Sequence, residues 1–239
     1  MNRRTLLKAT ATSTLVTPAF VRGRNLNSTL QMASIGTEGK GWSDTLMMST
    51  HAKAKHIAFC DIDLSRTNQA RNLQSKAPVF QFFRDMFEKM EGKIDAVTVS
   101  TPDHMHAYIA LDAMRRGIHV HCQKPLTHNV WEARQMRLQA AKSKVITRMG
   151  NQIHSGTNYR RVVELVQSGA IGEVKEVHVW SNATYGKINL SPDDVPIPKG
   201  LDYDLWLGPL PYKSFRKEYA PFHWRNFWAF GGGSLADFW

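Results

Sequence analysis

Three short stretches of this 239-residue chain bring together residue types that do chemistry. In His119-Val120-His121-Cys122-Gln123-Lys124-Pro125-Leu126, a β-branched and apolar stretch runs into a lysine followed by a proline. Proline disfavours helical geometry in the residue before it, so Lys124 is expected extended at the carboxyl end of a strand, where open α/β sheets bind ligands. A lysine there can move a proton when desolvation or a neighbouring cation lowers its pKa, or it can polarise a carbonyl. Taken alone, the eight residues also describe a surface lysine at a strand-to-helix turn, and the rest of the chain decides between the two.

The second stretch is Gly36-Thr37-Glu38-Gly39-Lys40-Gly41, between an apolar strand over 30–35 and a helix over 42–50. A glycine turn in that context lets a helix N-terminus meet a phosphate. The third is Asp61, closing a strand over 56–60 and standing 20 residues after Gly41. A carboxylate at that distance accepts hydrogen bonds from the adenosine ribose hydroxyls and repels a 2′-phosphate, so the glycine turn with Asp61 predicts NAD binding in preference to NADP, while the same residues taken alone also describe an ordinary βα turn and a surface aspartate. Glu38 occupies the middle glycine position of the usual pattern and must point away from a bound pyrophosphate.

Alternating elements would position these residues. Further strands are expected over 79–82, 94–100, 119–122 and 145–149. Helices are expected around 86–87 and over 104–116, the latter with Asp103 as N-cap and Gly117 as stop, and over 129–142 with an Asn129/Glu132 capping pair. The regular repeat predicts a Rossmann-type, doubly wound parallel sheet over 28–150. Cys60 and Cys122 then end strands with two others between them, roughly 14 Å apart and beyond disulfide reach, so free thiols are expected. His104 with His106, and His119 with His121 and Cys122, are closely spaced, yet residues two apart on a helix diverge and neighbours on a strand face opposite ways, so no metal is expected.

After Gly150 the pattern changes. A helix over 158–167 carries Tyr159, Val162, Val163 and Val166 on one side, and 174–180 alternates as a half-buried strand. Residues 184–213 are proline-rich and read as a long ordered loop. In Phe222-His223-Trp224-Arg225-Asn226-Phe227-Trp228 the aromatics serve equally well as core or, with Arg225 beside Trp224, as a platform for a sugar ring and its hydroxyls.

Five of the eleven excess positive charges, Arg3, Arg4, Lys8, Arg22 and Arg24, lie in an acid-free N-terminal stretch. The remainder is moderately basic with interspersed acids and has no nucleic-acid-binding motif, so no nucleic-acid partner is expected. Residues 1–27, with Arg3-Arg4-Thr5-Leu6-Leu7-Lys8 and a mildly apolar stretch to Phe20, resemble a twin-arginine signal and linker. The segment is too short and polar to span a membrane stably, and export to the periplasm is expected.

The glycine turn, Asp61, Thr101-Pro102, Gln123-Lys124-Pro125 and Gly231-Gly232-Gly233-Ser234-Leu235-Ala236-Asp237, in that order, resemble the Gfo/Idh/MocA oxidoreductases from about residue 29 onward. The resemblance implies an NAD(P)-binding first domain and a second α+β domain with a largely antiparallel sheet over 151–239 that closes over a sugar or other polyol. It implies cofactor contacts from Gly36, Thr37, Gly39, Gly41, Asp61, Ser100, Thr101, Pro102, Gln123 and Lys124, catalysis by Lys124, and substrate contacts from Trp224, Arg225 and Asp237. The family's glutamate before the lysine is Gln123 here. Family members continue past this aspartate into a helix bearing a histidine, so the chain is expected to be C-terminally truncated, with an incomplete second domain, and to be a homo-oligomer at full length. Three functions compete: a sugar oxidoreductase, a glycosidase that uses bound NAD for transient oxidation and elimination, and, suggested by Glu38, Gln123 and the expected truncation, a non-catalytic nucleotide-binding fragment.

Overall fold

The computed structural model describes residues 29–192 and 195–238, so the twin-arginine segment lies outside the described residues. Six strands, β1 (Leu30–Ile35), β2 (Ala54–Cys60), β3 (Val79–Phe80), β4 (Ala96–Val99), β5 (His119–Gln123) and β6 (Thr147–Gly150), form one sheet in the order β3-β2-β1-β4-β5-β6. Every neighbouring pair is parallel. The order reverses between β1 and β4, and there the carboxyl ends of the strands leave a crevice. A parallel sheet needs both faces covered, which is why β4, Ala-Val-Thr-Val, is buried at all four positions.

Helices α1 (Lys40–Ser49), α2 (Asn68–Leu73), α3 (Phe83–Lys89), α4 (Asp103–Arg115) and α5 (Val130–Ser143) follow the first five strands in turn. Helix α4 packs on β5 and α5, and its Ala107, Ala110 and Ala113 are buried in the main core. It ends as its glycine predicts: Gly117 takes φ +75°, and the N–H groups of Gly117 and Ile118 donate to the Met114 and Ala113 carbonyls at 3.0 Å each. Helix α5 starts on the expected pair, Glu132 N–H donating to Asn129 Oδ1 at 3.0 Å, although the Glu132 carboxylate returns to His128 N–H rather than to Asn129 N–H. Asp103 departs from expectation. Pro102 is the N-cap of α4, with no side-chain cap, and the Asp103 carboxylate leaves the helix to accept from Gly232 N–H.

Beyond Gly150 the chain forms α6 (Thr157–Gln167), α7 (Tyr203–Leu207) and α8 (Gly233–Phe238). Helix α7 lies inside the stretch expected to be loop. Asp202 caps it by accepting from Leu205 N–H at 2.9 Å, and Tyr203, Trp206 and Leu207 enter a second core with Phe215, Tyr219, Trp224 and Phe230. The strand expected over 174–180 does not form. Its residues are exposed, Trp180 by 78%, because no described strand offers it a ladder, and a strand exists only through its partners. The apolar side of α6 is likewise exposed, and among the described residues no strand follows β6. Among the described residues no helix is long and apolar enough to cross a membrane.

Cys60 and Cys122 are free and buried, with β1 and β4 between their strands. Burial pushes both thiols up, Cys60 further through the Asp61 and Asp85 charges and Cys122 through Asp103. Both should therefore resist a disulfide reagent in the native protein and react together on unfolding in guanidinium. Fast reaction of either thiol in the native state would contradict the packing.

Candidate active site

A cavity of about 490 Å³ opens at the carboxyl ends of β1, β2, β4 and β5. Its first wall is the glycine turn. A Cβ on Gly36, at φ +82°, would lie 2.3 Å from the Ser100 carbonyl oxygen, and one on Gly41 would lie 2.1 Å from the Gly36 oxygen. Those clashes with backbone require glycine at both positions and bring the turn flush against the end of β4. Helix α1 then follows with Gly39 as its N-cap and no side-chain cap, and Gly39 and Lys40 both line the cavity.

Asp61 sits at the end of β2 and is tied to this turn. Its Oδ2 accepts from Thr37 N–H at 2.9 Å and from Thr37 Oγ1 at 3.1 Å, while Oδ1 accepts from Asp63 N–H at 3.1 Å. Burial raises its pKa, opposed by those hydrogen bonds and by Arg66. Thr37 is wholly buried and Gly41 lies beneath Gly36, so both support the wall without lining it, whereas Gly36, Gly39 and Asp61 line it. Glu38 is turned to Arg66, whose Nε lies 2.9 Å from its carboxylate, so a cation offsets the misplaced charge.

The second wall carries Ser100, Thr101, Pro102, Gln123 and Lys124. Behind it lies Asp44 of α1, which nothing in the motif spacing singled out. Asp44 Oδ2 accepts from Ser100 Oγ at 2.7 Å and from Gln123 Nε2 at 2.8 Å, and Oδ1 pairs with Lys40 Nζ at 2.6 Å. The two histidines of α4, closely spaced in sequence, bind backbone. His106 reaches the Thr101 and Pro125 carbonyls at 2.8 Å each, and His104 reaches the Trp206 carbonyl at 2.8 Å and that of Phe230 at 3.3 Å. Burial lowers the pKa of both, His104 to about 4, while these carbonyls pull the other way.

The third wall comes from the C-terminal half. Lys124 Nζ donates to the Asp237 carbonyl at 3.0 Å and to its carboxylate, the Tyr185 hydroxyl donates to the other carboxylate oxygen, and Arg225 Nε stands 3.8 Å from that oxygen. Burial and the Asp237 bond push the Tyr185 phenol up. Tyr185 lies in the proline-rich stretch without a motif around it, so no local signal could have found it. Trp224 lines the cavity but is mostly core, 4% exposed, and its ring face is covered by the Arg225 guanidinium at 4.1 Å. Asp103 completes the cluster. Its pKa is raised to about 7 by burial, with Asp237 adding to the rise and Gly232 N–H, Arg225 and Lys124 opposing it.

A parallel sheet with a glycine turn and an acid flanking its switch point defines a dinucleotide-binding domain, and a lysine, a carboxylate and a phenol meet at the same crevice. The comparisons with known proteins name the group. The oxidoreductase family with an NAD-binding Rossmann fold matches residues 30–151, and that family's C-terminal α/β domain matches 155–239, so the chain belongs to the Gfo/Idh/MocA oxidoreductases. It is 31% identical over 160 residues to an uncharacterised oxidoreductase of Rhizobium meliloti, covering 64% of this chain and 46% of that protein. With the myo-inositol 2-dehydrogenase of Thermotoga maritima it shares 26% over 170 residues, 71% of this chain and 47% of the relative. The crystal structure of myo-inositol 2-dehydrogenase from Lactobacillus plantarum superposes with a TM-score of 0.58 at 24% identity, covering 62% of this chain and 43% of that one. The chain spans about half the length of the curated relatives it matches.

Asp103 generates a pH test. The folded state holds its proton up to about pH 7, whereas the unfolded chain releases it near the ordinary value of 3.8, so its contribution to stability falls as pH rises through that window. Asp103→Asn keeps an acceptor for Gly232 N–H and should become steadily more stable relative to the wild type from about pH 4 to about pH 7. Urea unfolding across that series checks this, and a difference that stays constant would show the carboxyl to be ionised throughout.

Proposed function

We propose that this chain carries the NAD-binding and proton-transfer parts of an oxidoreductase that moves hydride between NAD and a carbinol carbon of a sugar or cyclic polyol. Residues 28–150 would hold the cofactor and 151–239 the substrate. The observation that carries the reading is the meeting of Lys124, Asp237 and Tyr185 in the same cavity as the glycine turn and Asp61. When bound, the cofactor supplies the hydride acceptor or donor.

The chain's own residues account for the proton. In the reducing direction Lys124 Nζ gives a proton to the substrate oxygen, and in the oxidising direction it takes one back. Asp237 orients the ammonium and, with Tyr185, links it to a further proton-bearing group. Arg225 adds a cation suited to hydroxyl oxygens. Asp61 favours NAD, since its carboxylate would face a 2′-phosphate. The likeness to inositol dehydrogenases supports a polyol with adjacent hydroxyl groups.

Turnover of a panel of inositols, hexoses and aryl glycosides tests the reading. Lys124→Ala should lower NADH formation by about 100-fold or more while leaving the NAD titration unchanged. Unchanged turnover would remove the lysine's role, and aglycone release without net NADH would identify a redox-neutral glycosidase instead. Asp61→Ala should narrow the preference for NAD over NADP, and equal affinities in both proteins would end that assignment. Export is a separate proposal motivated by Arg3-Arg4. Replacing both arginines with lysine should retain the folded protein in the cytoplasm, and unchanged periplasmic recovery would refute it.

A further inference from the structure

The pairing of Asp44 with Gln123 bears on how the cofactor is read, and the inference rests on NAD as the dinucleotide. Gln123 ends β5, lines the cavity and is 4% exposed. Its amide has one committed end: Nε2 donates to Asp44 Oδ2 at 2.8 Å, and the reverse orientation would set its carbonyl oxygen against a carboxylate. Ser100 Oγ and Lys40 Nζ hold Asp44 in turn, at 2.7 and 2.6 Å. On the far side, Gly150 packs so closely that a Cβ there would lie 2.5 Å from Nε2, so the amide has no room to swing toward β6.

The atom left over is Gln123 Oε1, which is buried and has no hydrogen-bond partner. A buried unpaired acceptor costs stability unless something supplies the donor. The sheet order limits what that is. Asp61, at the end of β2, takes the adenosine half of a dinucleotide laid across the switch point, so the nicotinamide half falls on the opposite side, toward β4 and β5. The nicotinamide carboxamide carries an N–H2 group that needs an acceptor there.

We propose that Asp44 is a positioning residue that locks the Gln123 amide with its oxygen free to accept from the carboxamide N–H2 of the nicotinamide. A glutamate at position 123 would meet the Asp44 carboxylate, so the glutamine and the aspartate work only as a pair.

The test compares equilibrium binding of NADH with that of reduced 3-acetylpyridine adenine dinucleotide, in which a methyl ketone replaces the carboxamide, followed by calorimetry on the whole chain. The wild type should bind NADH roughly tenfold more tightly, the scale of one neutral hydrogen bond. Gln123→Met, similar in shape but lacking the acceptor, should lose that preference. Asp44→Asn should lose most of it, because an amide at position 44 accepts either orientation of Gln123. The double variant Asp44→Asn/Gln123→Glu should regain it, since the amide at position 44 can then donate to a carboxylate at 123 that retains an acceptor. Equal binding of the two dinucleotides by the wild type would overturn the inference and leave NAD binding standing, and that measurement needs no variant to fold. Binding of neither would overturn the NAD reading, and the inference with it.

Discussion

The first turn of α4 holds the two halves of the cavity together. Within four residues, Asp103 accepts from Gly232 N–H, the His104 ring lies between the Trp206 and Phe230 carbonyls, and the His106 ring between those of Thr101 and Pro125, each neutral imidazole donating to one of its two. Two of these side chains reach into the C-terminal half, and the third ties together the loops that follow β4 and β5. Each takes a buried backbone group that would otherwise be costly to leave unpaired. The wall carrying Lys124 and the wall carrying Asp237 are thus tied to one element.

The charges at the crevice are arranged to be shared. Lys124 and Arg225 face Asp237, and Asp103 stands close enough to feel all three. Burial raises the Asp103 carboxyl to about 7, with Asp237 adding to the rise and Gly232 N–H, Arg225 and Lys124 opposing it. Tyr185 donates to the other Asp237 oxygen, so both oxygens of that carboxylate are engaged, one by the phenol and one by the lysine.

The sheet and its ligand-binding end were legible in the sequence because they rest on local rules. Apolar runs closed by glycine, proline or aspartate marked the strands, and Gly36, Asp61 and Lys124 stood where strand ends require them. The rest depends on partners far along the chain. Asp103 looked like a helix cap because capping is local, and its true partner, Gly232, is 129 residues away. Tyr185 meets Asp237 only through the path of a proline-rich stretch whose fold is set by an aromatic core, and Asp44 acquires meaning from Gln123, 79 residues on. The alternation at 174–180 was a genuine β pattern, but a ladder is a property of two segments, and the second is not among the described residues.

The two departures from the family pattern share a physical logic. Glu38 places a negative charge where a pyrophosphate would approach, and Arg66 meets it at 2.9 Å. Gln123 withdraws a negative charge from beside Lys124, and Asp44 sets one behind it at 2.8 Å. In each case a charged side chain stands within hydrogen-bond reach of the departing residue, a cation beside Glu38 and a carboxylate beside Gln123. The partner matters most at Gln123, because an amide has a direction and a carboxylate does not, and it is Asp44 that sets which way the amide faces.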